Sequence, residues 1–139
     1  MTRTIEFTND VSQVTRLAEW IELLAEDWQL PASCTFQLNL ALEEALVNVI
    51  DYAYPSQTDM PIRLKAEKLT DENSVRFVLE DDGIPFDPTK AEAPDITLSA
   101  EERQIGGLGI FIVNEMMAEV EYQRLDDKNI LTMVYAIQS

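Results

Sequence analysis

At 139 residues and 46% hydrophobic composition, the chain is long enough for a real core and too apolar for a disordered segment. Its formal charge is −16, from ten Lys plus Arg against 26 Asp plus Glu, so it lacks the global basic surface that nucleic acid or an anionic membrane demands. With no histidine, it excludes His-based zinc sites, Ser-His-Asp triads and a phospho-histidine intermediate.

The acidic field also repels a nucleotide phosphate. A phosphate site here must be local: backbone N–H groups, a divalent cation, one Arg. The same charge suits a basic protein partner. No apolar run approaches the roughly 20 residues that cross a bilayer. Met1 to Thr8 has no apolar signal core, and the single Cys34 cannot form an internal disulfide. The expectation is a cytoplasmic protein, one domain over residues 1–139, with no membrane and no nucleic-acid partner.

Arg3 to Thr8 alternates apolar and polar residues, a short strand signal. Asn9 or Asp10 can cap the helix that follows, whose apolar positions run from Val11 through Leu17, Ile21 and Leu24 to Trp28. Leu30-Pro31 stops it, and Ser33 can cap the next helix. That helix is the stretch Leu38 to Tyr54, closed by Pro55, with Leu38, Leu42, Ala45, Val49 and Ala53 on one face. A polar connection, Pro55 to Pro61, leads to a half-buried strand on Ile62, Leu64 and Ala66. Thr70 to Asn73 is a turn, and Ser74 to Glu80 is the second strand of a hairpin. Asp81 to Pro88 is loop chemistry. Residues 89–105 are polar and aperiodic, the composition of a functional flap. Gly106-Gly107-Leu108-Gly109 runs directly into an apolar helix, Ile110 to Met117. Val120 to Arg124 and Ile130 to Ile137 are two strands joined by a turn at Asp126 to Asn129. Hairpins dominate this order. The expected fold is an α/β two-layer sandwich, a mostly antiparallel mixed sheet covered on one face by about three helices.

Three constellations carry chemistry. Glu44 and Asn48 are four apart on the central helix, and so share a side of it. An Asn within Leu46-Val47-Asn48-Val49-Ile50 is a poor helix choice, because its amide competes with the backbone. Its oxygen can ligate Mg²⁺, while Glu44 can orient or deprotonate a nucleophile. The plain alternative is a solvated helix face. Asp81-Asp82-Gly83 follows a strand, where a carboxylate can accept from the exocyclic amine of adenine and reject guanine's carbonyl. Such a charge-assisted bond is worth about 1.5–3 kcal/mol. Gly83 would let the base lie close to the backbone, although Asp-Asp-Gly is equally an ordinary turn. Gly106, Gly107, Leu108 and Gly109 at a helix start bare N–H groups that can cradle phosphates without a basic side chain. The alternative is a tight loop-to-helix junction. Arg103, upstream in the flap, can reach a terminal phosphate or stay solvated.

The order is more specific than the parts. Glu-x-x-x-Asn on a helix, Asp-x-Gly after a strand, a long flap and Gly-x-Gly opening a helix together resemble the GHKL ATPase superfamily with its Bergerat nucleotide fold. Within that superfamily the chain looks like the anti-sigma factor serine/threonine kinases. The carrying segments are Glu43 to Tyr54, Asp81 to Asp87 and Gly106 to Val113, and the resemblance covers essentially the whole chain. It implies that Asn48 binds Mg²⁺ and that Glu44 acts as base or metal organiser. It implies that Asp81 and Gly83 read adenine, that Gly107 and Gly109 contact phosphate, and that residues about 89–105 form an ATP lid. Pro85 departs from the superfamily's Asp-x-Gly-x-Gly and stiffens the loop. The resemblance further implies ATP and Mg²⁺ as cofactors, and a small anti-sigma factor antagonist domain phosphorylated on serine. It implies sequestration of a sigma factor and a homodimer. Three functions compete: such a kinase, a non-catalytic ATP/ADP-gated protein-binding module, and a domain that takes no nucleotide. Turnover separates the first two, and stabilisation by Mg-ATP separates both from the third.

Overall fold

The computed structural model describes residues 1–90 and 107–137. Among these, strand β1 (Thr2–Thr8) leads through a 3-10 turn (Val11–Gln13) into helix α1 (Val14–Asp27) and helix α2 (Ala32–Tyr52). Strands β2 (Pro61–Leu69) and β3 (Ser74–Asp81) form the first hairpin, followed by a second 3-10 turn (Pro88–Lys90). Helix α3 (Gly107–Met116) precedes the closing hairpin, β4 (Glu119–Leu125) and β5 (Lys128–Ala136). The five strands make one sheet in the order β1-β2-β3-β5-β4. Each neighbouring pair is antiparallel, which meets the expectation of a hairpin-dominated sheet.

The layers follow from periodicity. On β2, Ile62, Leu64 and Ala66 point into the core; on β3, Val75, Phe77 and Leu79; on β5, Leu131, Met133 and Tyr135. Against them lie Leu17, Ile21 and Leu24 of α1, then Leu38, Leu42, Ala45 and Val49 of α2. Ile110 and Val113 of α3 and the following Met117 complete that layer. Burying one such Leu or Val stabilises the fold by about 1.5–3 kcal/mol, which outweighs the modest helix propensity of the β-branched members.

The helix starts differ in detail from the sequence expectation. Of Asn9 and Asp10, it is Asp10 that caps, its carboxylate accepting from the Ser12 N–H at 3.0 Å. Asn9 instead clamps the connection before β2, bonding the Gln57 carbonyl at 2.8 Å and the Met60 N–H at 2.9 Å. Ser33 does not cap α2 but lies inside its first turn. Pro31 holds the cap position in extended backbone (φ −60, ψ 153), with no side-chain cap. Its carbonyl accepts from Cys34 and Thr35 at 3.0 and 3.3 Å, and its ring presets the φ that leads into the helix.

One correction bears on the site. The turn expected over Asp126–Asn129 is only two residues long. Asp126 and Asp127 have φ of 53 and 61, and Leu125 pairs with Lys128. Two positive φ values give a hairpin turn whose twist matches its strands, and Asp tolerates that conformation. Strand β5 therefore starts at Lys128, and Asn129 belongs to the sheet.

Candidate functional site

The central strands end on polar residues where their alternation calls for apolar ones. Val75, Phe77 and Leu79 are followed two residues later by Asp81, and Leu131 is preceded two residues earlier by Asn129. Both side chains are buried, at 2% and 5% exposure, and the two residues are direct cross-strand partners. The Asn129 amide donates to Asp81 Oδ1 at 2.9 Å, and the Gly83 N–H donates to the same oxygen at 2.8 Å. Burial pushes the Asp81 carboxyl above its ordinary range. The Asn129 and Gly83 donors pull it back, Asp82 adds to the rise, and Arg124 opposes it. Both donors sit on Oδ1, and a carboxylate has acceptor capacity for a further N–H beyond them.

Helix α2 brings Asn48 to the same place. Asn48 is 2% exposed, lies one turn after Ala45 and directly before Val49, and its Oδ1 is buried without a hydrogen-bond partner among the described residues. An unsatisfied buried amide oxygen costs about 1–3 kcal/mol, so the fold tolerates a defect that a ligand would remove. Among the described residues no three His, Cys, Asp or Glu gather as a metal cage. A lone amide oxygen instead fits a Mg²⁺ that keeps its waters and rides on substrate phosphates.

A pocket joins these groups. Ala45, Asn48 and Val49 line it from α2, Leu79 and Asp81 from β3, and Asn129 and Leu131 from β5. Phe86 and Pro88 of the loop, Ile110 of α3 and Tyr122 of β4 close its apolar walls. Mostly apolar walls with a few convergent polar atoms are the make-up of a small-molecule site. Phe86 is further held by stacking on Tyr52 at the end of α2, with ring centroids 5.1 Å apart. Glu44 is half-buried and is not among the residues lining the pocket. Burial raises its carboxyl above the ordinary value, and the charges of Glu43 and Asp51 raise it further.

The loop after β3 is fixed from two sides. A Cβ on Gly83 would meet the Ala53 carbonyl oxygen at 2.2 Å, so glycine is required by the contact with the end of α2. The adjacent Ile84 N–H donates to that oxygen at 2.8 Å. The Tyr54 hydroxyl donates to the Pro61 carbonyl at 2.6 Å and accepts from the Asp82 N–H at 2.7 Å. Asp82 faces away from the pocket into an ion cluster with Arg63 and Lys128, at 2.8 and 3.4 Å.

Of the residues singled out in the sequence, Asn48 and Asp81 meet at one pocket with Gly83 beside it. Gly107, Leu108 and Gly109 open α3 as expected. Arg103, Gly106 and residues 91–105 of the expected lid lie outside the described residues. Asn129 was missed, because the closing turn was expected to contain it. The signal was available in the inward period of β5 extended back by two residues.

A family model described as the histidine kinase-like ATPase domain matches residues 7–135. The serine/threonine-protein kinase BtrW of Bordetella bronchiseptica is 30% identical over 132 residues, which is 95% of this chain and 92% of that protein. The serine-protein kinase RsbW of Listeria monocytogenes is 32% identical over 88 residues, 60% of this chain and 55% of that one. Among solved structures, one holding RsbU and RsbW domains from Mycobacterium tuberculosis aligns with a TM-score of 0.70 at 12% identity. That alignment covers 99% of this chain and 32% of the other. The histidine kinase domain of an Erythrobacter litoralis blue-light activated kinase aligns with a TM-score of 0.57 at 18% identity, covering 91% and 60%. At such identities the structural likeness speaks for the fold.

Proposed function

The chain belongs to the histidine kinase-like ATPase domain family, and from that premise we propose that it is an ATP- and Mg²⁺-dependent anti-sigma factor kinase that phosphorylates a serine on a small antagonist domain. Its full-length relative is named a serine/threonine-protein kinase, and this chain is a protein serine/threonine kinase of the same kind. The carrying observation is that the buried, unpartnered Asn48 Oδ1 and the buried Asp81 carboxylate share one pocket. Asp81 accepts the exocyclic amine of adenine, while Phe86 and the apolar walls hold the base away from water. Gly107, Leu108 and Gly109 place first-turn N–H groups of α3 at the phosphates, where the helix dipole favours anions. Asn48 would hold Mg²⁺, which when bound neutralises phosphate charge.

In the transfer, the partner's serine oxygen forms a bond to the terminal phosphorus as the bond to the ADP oxygen breaks. Glu44 accepts the hydroxyl proton. Positioning and charge stabilisation supply most of the rate. The charge of −16 suits a basic partner surface, and partner switching follows if the unphosphorylated antagonist displaces a held sigma factor. The family resemblance leads us to propose a single cytoplasmic domain that pairs as a homodimer. Among the described residues no helix is long and apolar enough to cross a membrane.

Labelled ATP, the chain and an antagonist encoded beside its gene should give label on the antagonist's serine, and Asn48→Ala should remove it. Absence of transfer to every such antagonist refutes the kinase activity. One observation favours a second reading, a nucleotide-gated binding module: Glu44 does not line the pocket. Nucleotide binding with no turnover, and partner release that differs between ATP and ADP, would establish that reading instead.

A further inference from the structure

Asn129 makes more bonds than any role as a strand residue requires. Its Nδ2 donates to Asp81 Oδ1 at 2.9 Å and to the Ile84 carbonyl at 2.7 Å. Its Oδ1 accepts from the Phe86 N–H at 3.2 Å, from the Tyr122 hydroxyl and from the Arg124 guanidinium at 3.3 Å. The amide orientation follows from these partners. Turned over, it would set its oxygen against a carboxylate and a carbonyl, and its N–H groups against three donors. One side chain thus references both the carboxylate and the loop to the sheet. We propose that Asn129 is the positioning residue of the base contact: it fixes Asp81 and the Ile84–Phe86 wall in one arrangement, and thereby sets a preference for a 6-aminopurine nucleotide over a 6-oxopurine one. This assignment rests on the nucleotide reading given above.

The physical need is specific. The terminal torsion of an Asp side chain is broad, so an unanchored carboxylate would present either oxygen at many angles. Discrimination against a 6-oxopurine depends on an acceptor meeting an acceptor, which costs affinity because neither group finds a donor. A carboxyl that takes up a proton, or swings aside, loses that discrimination. Burial drives Asp81 towards the protonated form, and the hydrogen bond from Asn129 is the main influence opposing it. The loop has the same need, because Ile84 is 50% exposed and offers little apolar anchorage of its own.

The test is calorimetry of ATP and GTP binding from pH 5 to 9 on the unaltered chain, Asn129→Leu and Asn129→Asp, with circular dichroism confirming the fold of each. Asn129→Leu should weaken ATP about ten- to a hundredfold, the loss expected for one hydrogen bond to a charged group. It should weaken GTP less, so the ATP-to-GTP ratio narrows, and the acid limb of ATP binding should move to higher pH. Asn129→Asp keeps the volume. Its ATP binding should be weakest at alkaline pH and recover as the paired carboxyls take up one proton, which restores a donor to Asp81. The other groups facing Asp81, namely Asp82, Arg124, Tyr54 and Tyr122, are the same in all three proteins. A merely structural loss would weaken both nucleotides alike at every pH. A folded variant that keeps the parent ratio and acid limb overturns the assignment alone, and Asn129→Asp decides if Asn129→Leu does not fold. Failure of the unaltered chain to bind either nucleotide overturns the nucleotide reading, and the assignment with it.

Discussion

Replacing Gly83 with alanine tests the packing that sets the Asp81 loop. The added Cβ would lie 2.2 Å from the Ala53 carbonyl oxygen and 2.7 Å from its carbonyl carbon. Both atoms are backbone at the end of α2, so no rotamer change relieves the clash, and the loop must move. Movement breaks the Ile84 N–H bond to Ala53, now 2.8 Å. Overpacking costs about 1–3 kcal/mol, and the lost backbone bond about 0.5–1.5 kcal/mol. The expected destabilisation is on the order of 2–4 kcal/mol, or roughly 6–15 °C in Tm for a chain of this size. Urea unfolding followed by circular dichroism measures it, with an unchanged m-value showing that the effect is stability. The Gly83 N–H, which bonds Asp81 Oδ1 at 2.8 Å, moves with the loop, so ATP affinity should fall as well. The double variant Ala53→Gly, Gly83→Ala should not recover, because it removes only the 2.7 Å contact with the Ala53 Cβ and leaves the closer oxygen. A Gly83→Ala change within about 0.5 kcal/mol of the parent, or recovery in the double variant, would refute the reasoning.

Asp81→Asn should raise Tm at pH 7 without nucleotide and abolish ATP binding. Burial lifts the folded carboxyl above 3.8, so its ionised form costs stability at neutral pH. That cost fades as pH falls through the raised value towards 3.8, and the gap between parent and variant in a pH series of melts should close in the same window. Glu44→Gln should lower the phosphotransfer rate about a hundredfold or more while leaving the ATP dissociation constant unchanged. Because its carboxyl is raised above 4.5, the parent rate should fall on acidification at a higher pH than an ordinary glutamate would give. Saturating Mg-ATP at a hundred times its dissociation constant should stabilise the parent by about 2.7 kcal/mol, read as a rise in Tm. Asn48→Ala should erase most of that rise but change the ligand-free Tm little, since lost packing is offset by removing the unpartnered Oδ1.

The sequence by itself determined the elements and singled out Asn48 and Asp81, two of the polar residues that line the candidate pocket. Periods of two and of three to four residues marked the strands and helices, because burial on one face leaves that imprint on a local stretch. Asn48 stood out within an apolar run, and Asp81 and Gly83 stood out at a strand end, because each breaks a local rule. What only the tertiary structure decided depends on partners far apart in the chain. Gly83 is glycine because Ala53, thirty positions earlier, passes against it. Asn129 became visible only when a two-residue turn drew it into β5 and the register set it opposite Asp81. The division between Asn48 on the pocket wall and Glu44 off it is likewise tertiary. Helical spacing puts the two on a common side, but the sheet and loop packed against α2 choose which of them is enclosed.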